Sequence, residues 1–153
     1  MPPHFLDKVI ISDTSCLIAL TNTGNLDSLR RVCQTVFITP EIAAEYGEDI
    51  PTWITVTPVR DHEKVRLIQK VLDPGESSAI ALALEIKEPL LILDDAQARL
   101  FAQYLGLAIT GTLGILIAAF QQGIIADLDP VIAGLKACDF RLPRDLPAIL
   151  SRL

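Results

Sequence analysis

The stretch LLILDDAQARLFAQYLGL, residues 90–107, decides the fold. Leu90-Leu91-Ile92-Leu93 is apolar at every position, without the in-and-out alternation of a half-exposed strand. Such a run belongs to a strand covered on both faces, as in a parallel sheet packed between helices. Two aspartates follow, and residues 96–105 then return to helical period. Reading outward, residues 107–110 form the next strand and 113–122 the next helix. Upstream, Asp73-Pro74-Gly75 breaks the chain ahead of an alanine-rich helix over 76–87, whose small side chains offer little bulk for deep packing. A helix over 62–71 precedes the break. Residues 54–59 make an edge strand at most, because Pro51 and Pro58 would remove ladder hydrogen bonds from a central one. Thr39-Pro40 supplies an N-cap and a first-turn proline for a short helix over 41–46, which Gly47 stops. Thr35–Ile38 and Val9–Ser12 complete the strands. Between them Leu17, Ile18, Leu20, Leu26, Leu29 and Val32 recur at helical spacing, with a break at residues 22–25. Strands separated by helices require right-handed crossovers. The expected architecture is therefore a three-layer α/β/α domain with a mostly parallel central sheet.

With 153 residues, half of them hydrophobic, the chain supports one domain, 1–153, in which 124–153 form a C-terminal helical extension of two short, proline-interrupted helices. Cys16, Cys33 and Cys138 are odd in number, far apart and form no CxxC pair, which excludes a disulfide framework and a cysteine zinc site. Asp7 and Lys8 interrupt the apolar core that a signal peptide would need. The apolar stretch from Leu105 to Phe120 is broken by Gly106, Thr110, Gly111, Thr112 and Gly114, short of the roughly 20 residues of a spanning helix. A reducing, cytoplasmic setting and no membrane association are expected.

In open α/β sheets ligands gather at the carboxyl ends of the strands. There the first strand ends in Asp13 and the 90–93 strand in Asp94-Asp95. If these strands are neighbours, their spacing of about 4.8 Å lets both acids reach one ion. Glu76 opens a helix, where the dipole tolerates negative charge. Glu45 falls on much the same helical face as Ile42 and should point inward. Thirteen Lys and Arg against nineteen Asp and Glu give a formal net charge of −6, and setting aside these five acids leaves the rest of the chain nearly balanced. Clustered carboxylates resist ionisation unless a hard divalent cation such as Mg²⁺ or Mn²⁺ neutralises them. Metal-assisted phosphodiester hydrolysis uses such clusters, one ion acidifying the attacking water and a second, about 3.5 to 4 Å away, steadying the leaving oxygen. Each acid also has a purely structural reading. Asp13 could only cap the helix after it, Asp94 or Asp95 could cap the helix from Ala96, Glu76 could only complement a dipole, and Glu45 could be a solvated helix residue. Thr112 could orient a ligand or cap a helix.

In order, ISDTSCLIAL (11–20), PEIAAEYG (40–47), DPGESSAIALALE (73–85), LLILDDAQARLFAQYLGL and ITGTLGILIAAF (109–120) resemble the PIN-domain family, over about Val9 to Gly123. The GE-x-x-AI-x-LA, LDD-x-x-AR and GT-x-G patterns are similar to a branch that includes VapC-type toxins of toxin–antitoxin pairs. The resemblance implies a Mg²⁺- or Mn²⁺-dependent ribonuclease with Asp13, Glu45, Glu76, Asp94 and Asp95 as catalytic acids. Asp13, Glu76 and Asp94 or Asp95 would hold the metal, and Thr14, Ser15, Arg99 and Thr112 are the candidates for substrate contact. The family's commonest pattern has an aspartate at Glu76 and a later acid in a Thr-x-Asp turn, so the register between Asp94 and Asp95 stays open.

For phosphate, the candidate cations are Arg30, Arg31, Arg60, Lys64, Arg66 and Arg99. Arg99 could clamp a phosphate or pair with Asp95 four residues before it. Expected partners are RNA, a cognate antitoxin and a second copy of the chain, the last because Leu142, Leu146, Ile149, Leu150 and Leu153 in the tail form an apolar set that either packs back or marks an interface. The alternative is a non-catalytic PIN-like nucleic-acid-binding or regulatory module. A phosphoaspartate receiver would need its acid pair near the first strand, a phosphatase would need a second aspartate after Asp13, and no GxGxxG follows strand one for a dinucleotide.

Overall fold

The computed structural model describes residues 5–153; residues 1–4, part of the stretch argued against a signal peptide and of the 1–153 domain, lie outside the described residues. A 3-10 turn at Phe5–Asp7 leads into β1 (Val9–Ser12), α1 (Thr14–Asn22), α2 (Leu26–Val32), β2 (Thr35–Ile38) and α3 (Pro40–Tyr46). The chain continues through β3 (Ile54–Val56), α4 (His62–Ile68), α5 (Pro74–Ala83), β4 (Pro89–Ile92) and α6 (Ala96–Tyr104). It ends with β5 (Ile109–Thr110), α7 (Thr112–Gln121), α8 (Asp129–Ala137) and α9 (Leu146–Ser151).

All described strands pair in parallel, in the order β3-β2-β1-β4-β5. Helices flank this sheet, giving the three-layer α/β/α arrangement: α2 packs on α1 and α7, α8 on α1, and α3 and α4 on α5. The central strands β1 and β4 are buried at their last three positions, as their unbroken apolar runs require. β3 sits at an edge with only Ile54 buried, the place where its flanking prolines cost no ladder bonds.

Two local expectations change. α5 begins at Pro74, because Asp73 caps it by accepting the Glu76 N–H at 2.8 Å. It is also deeply packed, with Gly75 and every residue from Ser77 to Ala83 buried. Small side chains do not exclude a helix from the core; they let its backbone approach β1 and β4 closely. In the C-terminal helices, Leu146 is buried and Leu142 and Leu150 pack against the core, so most of the apolar tail folds back on the domain while Leu153 stays exposed. Cys16, Cys33 and Cys138 are all free thiols.

Candidate active site

The sheet order reverses between β1 and β4, whose neighbours β2 and β5 lie on opposite sides. Connections leave such a switch point in opposite directions and open a crevice beyond the strand ends. Ser12 pairs with Ile92, and the Asp13 N–H extends the ladder to the Ile92 carbonyl at 3.1 Å. Asp13 therefore stands at the floor of the crevice. Its Oδ1 accepts the Cys16 N–H at 2.8 Å, capping α1, while Oδ2 accepts the Asp94 N–H at 3.0 Å. The capping and site readings of Asp13 describe the same atoms. Only 5% exposed, its carboxyl is pushed up to about 8, chiefly by burial and then by the Asp94 charge, with the two amide donors opposing. Beneath it the buried Cys16 thiol is pushed well above its ordinary value by burial and by both aspartates.

Asp94 is held from behind. Its Oδ1 accepts the Thr112 N–H at 2.9 Å and its Oδ2 the Thr112 hydroxyl at 2.6 Å, joining β4 to the start of α7. The GT-x-G turn allows this, since a Cβ on Gly111 would come within 3.1 Å of both Asp94 Oδ1 and Arg99 Nη1. Arg99 donates to the Leu93 carbonyl at 2.8 Å, and among the described residues it forms no ion pair with Asp95. Asp95 caps α6 through the Ala98 N–H at 2.9 Å and is otherwise exposed.

The opposite side of the crevice comes from α3 and α5, which a buried hydroxyl pair ties together: Thr39 caps α3 and meets Ser78 at 2.6 Å. Because the Ser78 proton goes to the Gly75 carbonyl at 2.8 Å, Thr39 is the donor of that bond. The link brings the Glu45 carboxylate over the Gly75 Cα, where a side chain would collide with it. Glu45 is pushed up by partial burial and then by Asp73. Glu76 is pushed up to about 8 by burial first, then by the hydrogen bond it shares with Asp73 and by the charges of Asp73, Asp95 and Asp13.

These side chains line one cavity of about 580 Å³. Asp13, Thr14, Ser15, Glu45, Glu76, Asp94 and Asp95 all face it, whereas Arg99 and Thr112 stand behind Asp94 and are not in its lining. Sequence reasoning missed Asp73 and the wall formed by Cys138, Asp139, Phe140 and Arg141. Asp73 could have been found, since an acid preceding Pro-Gly-Glu at a helix start shares the turn that positions Glu76. The Cys138–Arg141 wall carries no such signal, because only the packing of α8 on α1 brings it there. Among the described residues no three His, Cys, Asp or Glu side chains are placed to hold an ion, so the acids converge on a cavity and not on a point. The donor chemistry nonetheless suits a hard cation: the cavity is lined by the carboxylates of Asp13, Glu45, Asp73, Glu76, Asp94 and Asp95, and burial disfavours the charge of Asp13 and Glu76.

A parallel α/β/α domain with acids from several chain segments at its topological switch point defines a class: an open α/β fold with an acidic crevice at its strand ends. A family model described as PIN domain matches residues 9–152, and the chain belongs to the PIN-domain family, whose members are generally nucleases and typically use divalent metals. That match extends past Gly123 through the C-terminal helices. No curated protein and no solved structure matches the chain. Among the described residues, no helix is long and apolar enough to cross a membrane.

Proposed function

We propose that this chain is a Mg²⁺- or Mn²⁺-dependent endoribonuclease, the toxin of a toxin–antitoxin pair acting in the cytoplasm. The observation that supports the activity is the convergence of Asp13, Glu45, Asp73, Glu76, Asp94 and Asp95, from four separate chain segments, on one cavity. Burial first, then the Asp94 charge at Asp13 and the hydrogen bond and charge of Asp73 at Glu76, raise these two acids to about 8, a cost that a folded domain tolerates where a bound cation offsets it. Asp13, Glu76, Asp94 and Asp95 would hold the metal, which when bound supplies Lewis acidity toward phosphate and acidifies a water. The protein's own contribution is placement. Thr112 fixes Asp94, the Asp94 amide and Cys16 amide fix Asp13, and the Thr39–Ser78 bond sets Glu45 opposite them. Thr14 and Ser15, at the first turn of α1, offer hydroxyls to substrate oxygen. A cognate antitoxin and a second copy of the chain are the proposed protein partners. Leu100 and Tyr104 on α6, 69% and 88% exposed, give them apolar surface that the tail does not.

The test is cleavage of single-stranded RNA with Mg²⁺ or Mn²⁺, leaving 5′-phosphate ends, abolished by EDTA and reduced by orders of magnitude in Asp13→Asn. Cleavage that persists in EDTA or in Asp13→Asn would remove the proposal. Inactivity on varied RNAs without antitoxin would favour a non-catalytic module.

A further inference from the structure

The second wall of the cavity is built by a defined helix ending and not by a loose tail. At the end of α8, the Phe140 N–H returns to the Leu135 carbonyl at 3.0 Å and the Asp139 N–H to the Lys136 carbonyl at 3.2 Å. This paired closure puts Asp139 in the left-handed region, φ 58°, where glycine is commonest. Phe140 packs on the core beside it, and Leu142 does the same after it, so the residue between them is anchored on both sides. That residue is Arg141, exposed and facing the cavity.

Arg141 is the one cation among the described lining residues, which otherwise include Asp13, Glu45, Asp73, Glu76, Asp94, Asp95 and Asp139. Despite those carboxylates it forms no ion pair among the described residues, while Lys8, Arg30 and Lys64 elsewhere pair with Glu88, Asp27 and Asp61. The cations that the sequence offered for phosphate, Arg99 included, do not line the cavity. A polyanion entering an acidic crevice needs positive charge beside the metal, and a guanidinium fork matches two non-bridging phosphate oxygens.

We propose that Arg141 is a substrate-binding residue that holds a phosphate of the RNA chain against the C-terminal wall, an assignment that rests on the ribonuclease reading. The phosphate is one flanking the cleaved bond, so Arg141 contributes to ground-state binding and not to the chemical step.

The test compares wild type, Arg141→Gln, Arg141→Lys and Arg144→Gln, the last an exposed arginine three residues on that is outside the cavity lining. Each is titrated with a short fluorescein-labelled single-stranded RNA over a range of salt and assayed for kcat and KM with Mn²⁺, with Tm as the check on folding. Arg141→Gln should bind roughly tenfold more weakly, as expected for losing a charged hydrogen-bond donor. It should raise KM while leaving kcat within about twofold, and lower the slope of log K against log salt by about 0.7. Arg141→Lys should keep the salt slope and recover part of the affinity, and Arg144→Gln should match wild type. Unchanged affinity and slope in Arg141→Gln would overturn the assignment while leaving the ribonuclease reading intact. Tighter binding or faster cleavage would also overturn it, by showing that Arg141 acts as a counter-charge to the carboxylates. A wild type that neither binds nor cleaves RNA would instead remove the ribonuclease reading, and this assignment with it.

Discussion

Gly75→Ala separates the site from the fold. The three nearest atoms to a Cβ at this position all belong to the Glu45 carboxylate, and an ordinary carbon–oxygen contact would require that group to move well over an ångström. The obstacle is the far end of a flexible side chain that can swing toward solvent, so the fold loses little. Alanine in a helix is favoured over glycine by up to about 1 kcal/mol, less at a first-turn position such as this one. At about 2–4 °C per kcal/mol for a domain of this size, Tm should hold or rise by roughly 2 °C. Cleavage should fall instead, by about tenfold or more, because the carboxylate that α3 presents to the cavity is displaced. The decisive comparison is a double-mutant cycle: in a Glu45→Ala background, Gly75→Ala should cost no further activity, since the group it displaces is already gone. Melting curves and initial rates on single-stranded RNA measure both quantities. Full activity in Gly75→Ala alongside loss in Glu45→Ala would refute the claim that the Glu45–Gly75 contact sets the position of that acid. A fall in Tm of 8 °C or more, about the effect of 2–4 kcal/mol, would refute the claim that the obstruction is soft.

Mn²⁺ at a hundredfold excess over its dissociation constant should add about 2.7 kcal/mol, a rise of roughly 5–10 °C in Tm, and this rise should shrink in Asp13→Asn; equal shifts in both proteins would place the ion elsewhere. Asp13 and Glu76 each hold a proton to about pH 8 in the folded chain, against ordinary values of 3.8 and 4.5. At these two groups the folded state therefore binds more protons than the unfolded state between those limits, so their contribution to metal-free stability should be full below about pH 4 and lost as pH rises through 8. Urea midpoints across that range in EDTA check the sign. Asp94→Asn should lower activity with little change in Tm, because the amide oxygen still accepts the Thr112 N–H and the amide N–H can donate to the Thr112 hydroxyl, which rotates to accept. Asp95→Asn should leave Tm within about 1 °C, asparagine being as good a helix cap as aspartate, so any loss of cleavage there reports on the site alone.

Much of this molecule follows from local chemistry. Leu90 to Leu93 read as a strand of the kind that parallel sheets cover on both faces, and the acids after β1 and β4 fell at the carboxyl ends of parallel strands, where crossovers leave a crevice. The sequence also placed the Thr39 cap and the apolar faces of α1 and α2, because caps and periodicity act over one or two turns. It could not separate a capping acid from one that lines the cavity at Asp13 and Asp95, since the same carboxylate, in the same conformation, caps a helix and faces the cavity. Tertiary structure decided what depended on distant partners. Arg99 was free by spacing to meet Asp95, yet the Leu93 carbonyl at the end of β4 takes it. The small residues of α5 gave no sign of burial by bulk, because what buries them is close backbone approach to β1 and β4. Arg141 entered the cavity only through the docking of α8 on α1, a contact between segments far apart in the chain that no local pattern records, whereas Asp73 shares the local turn that starts α5 with Glu76.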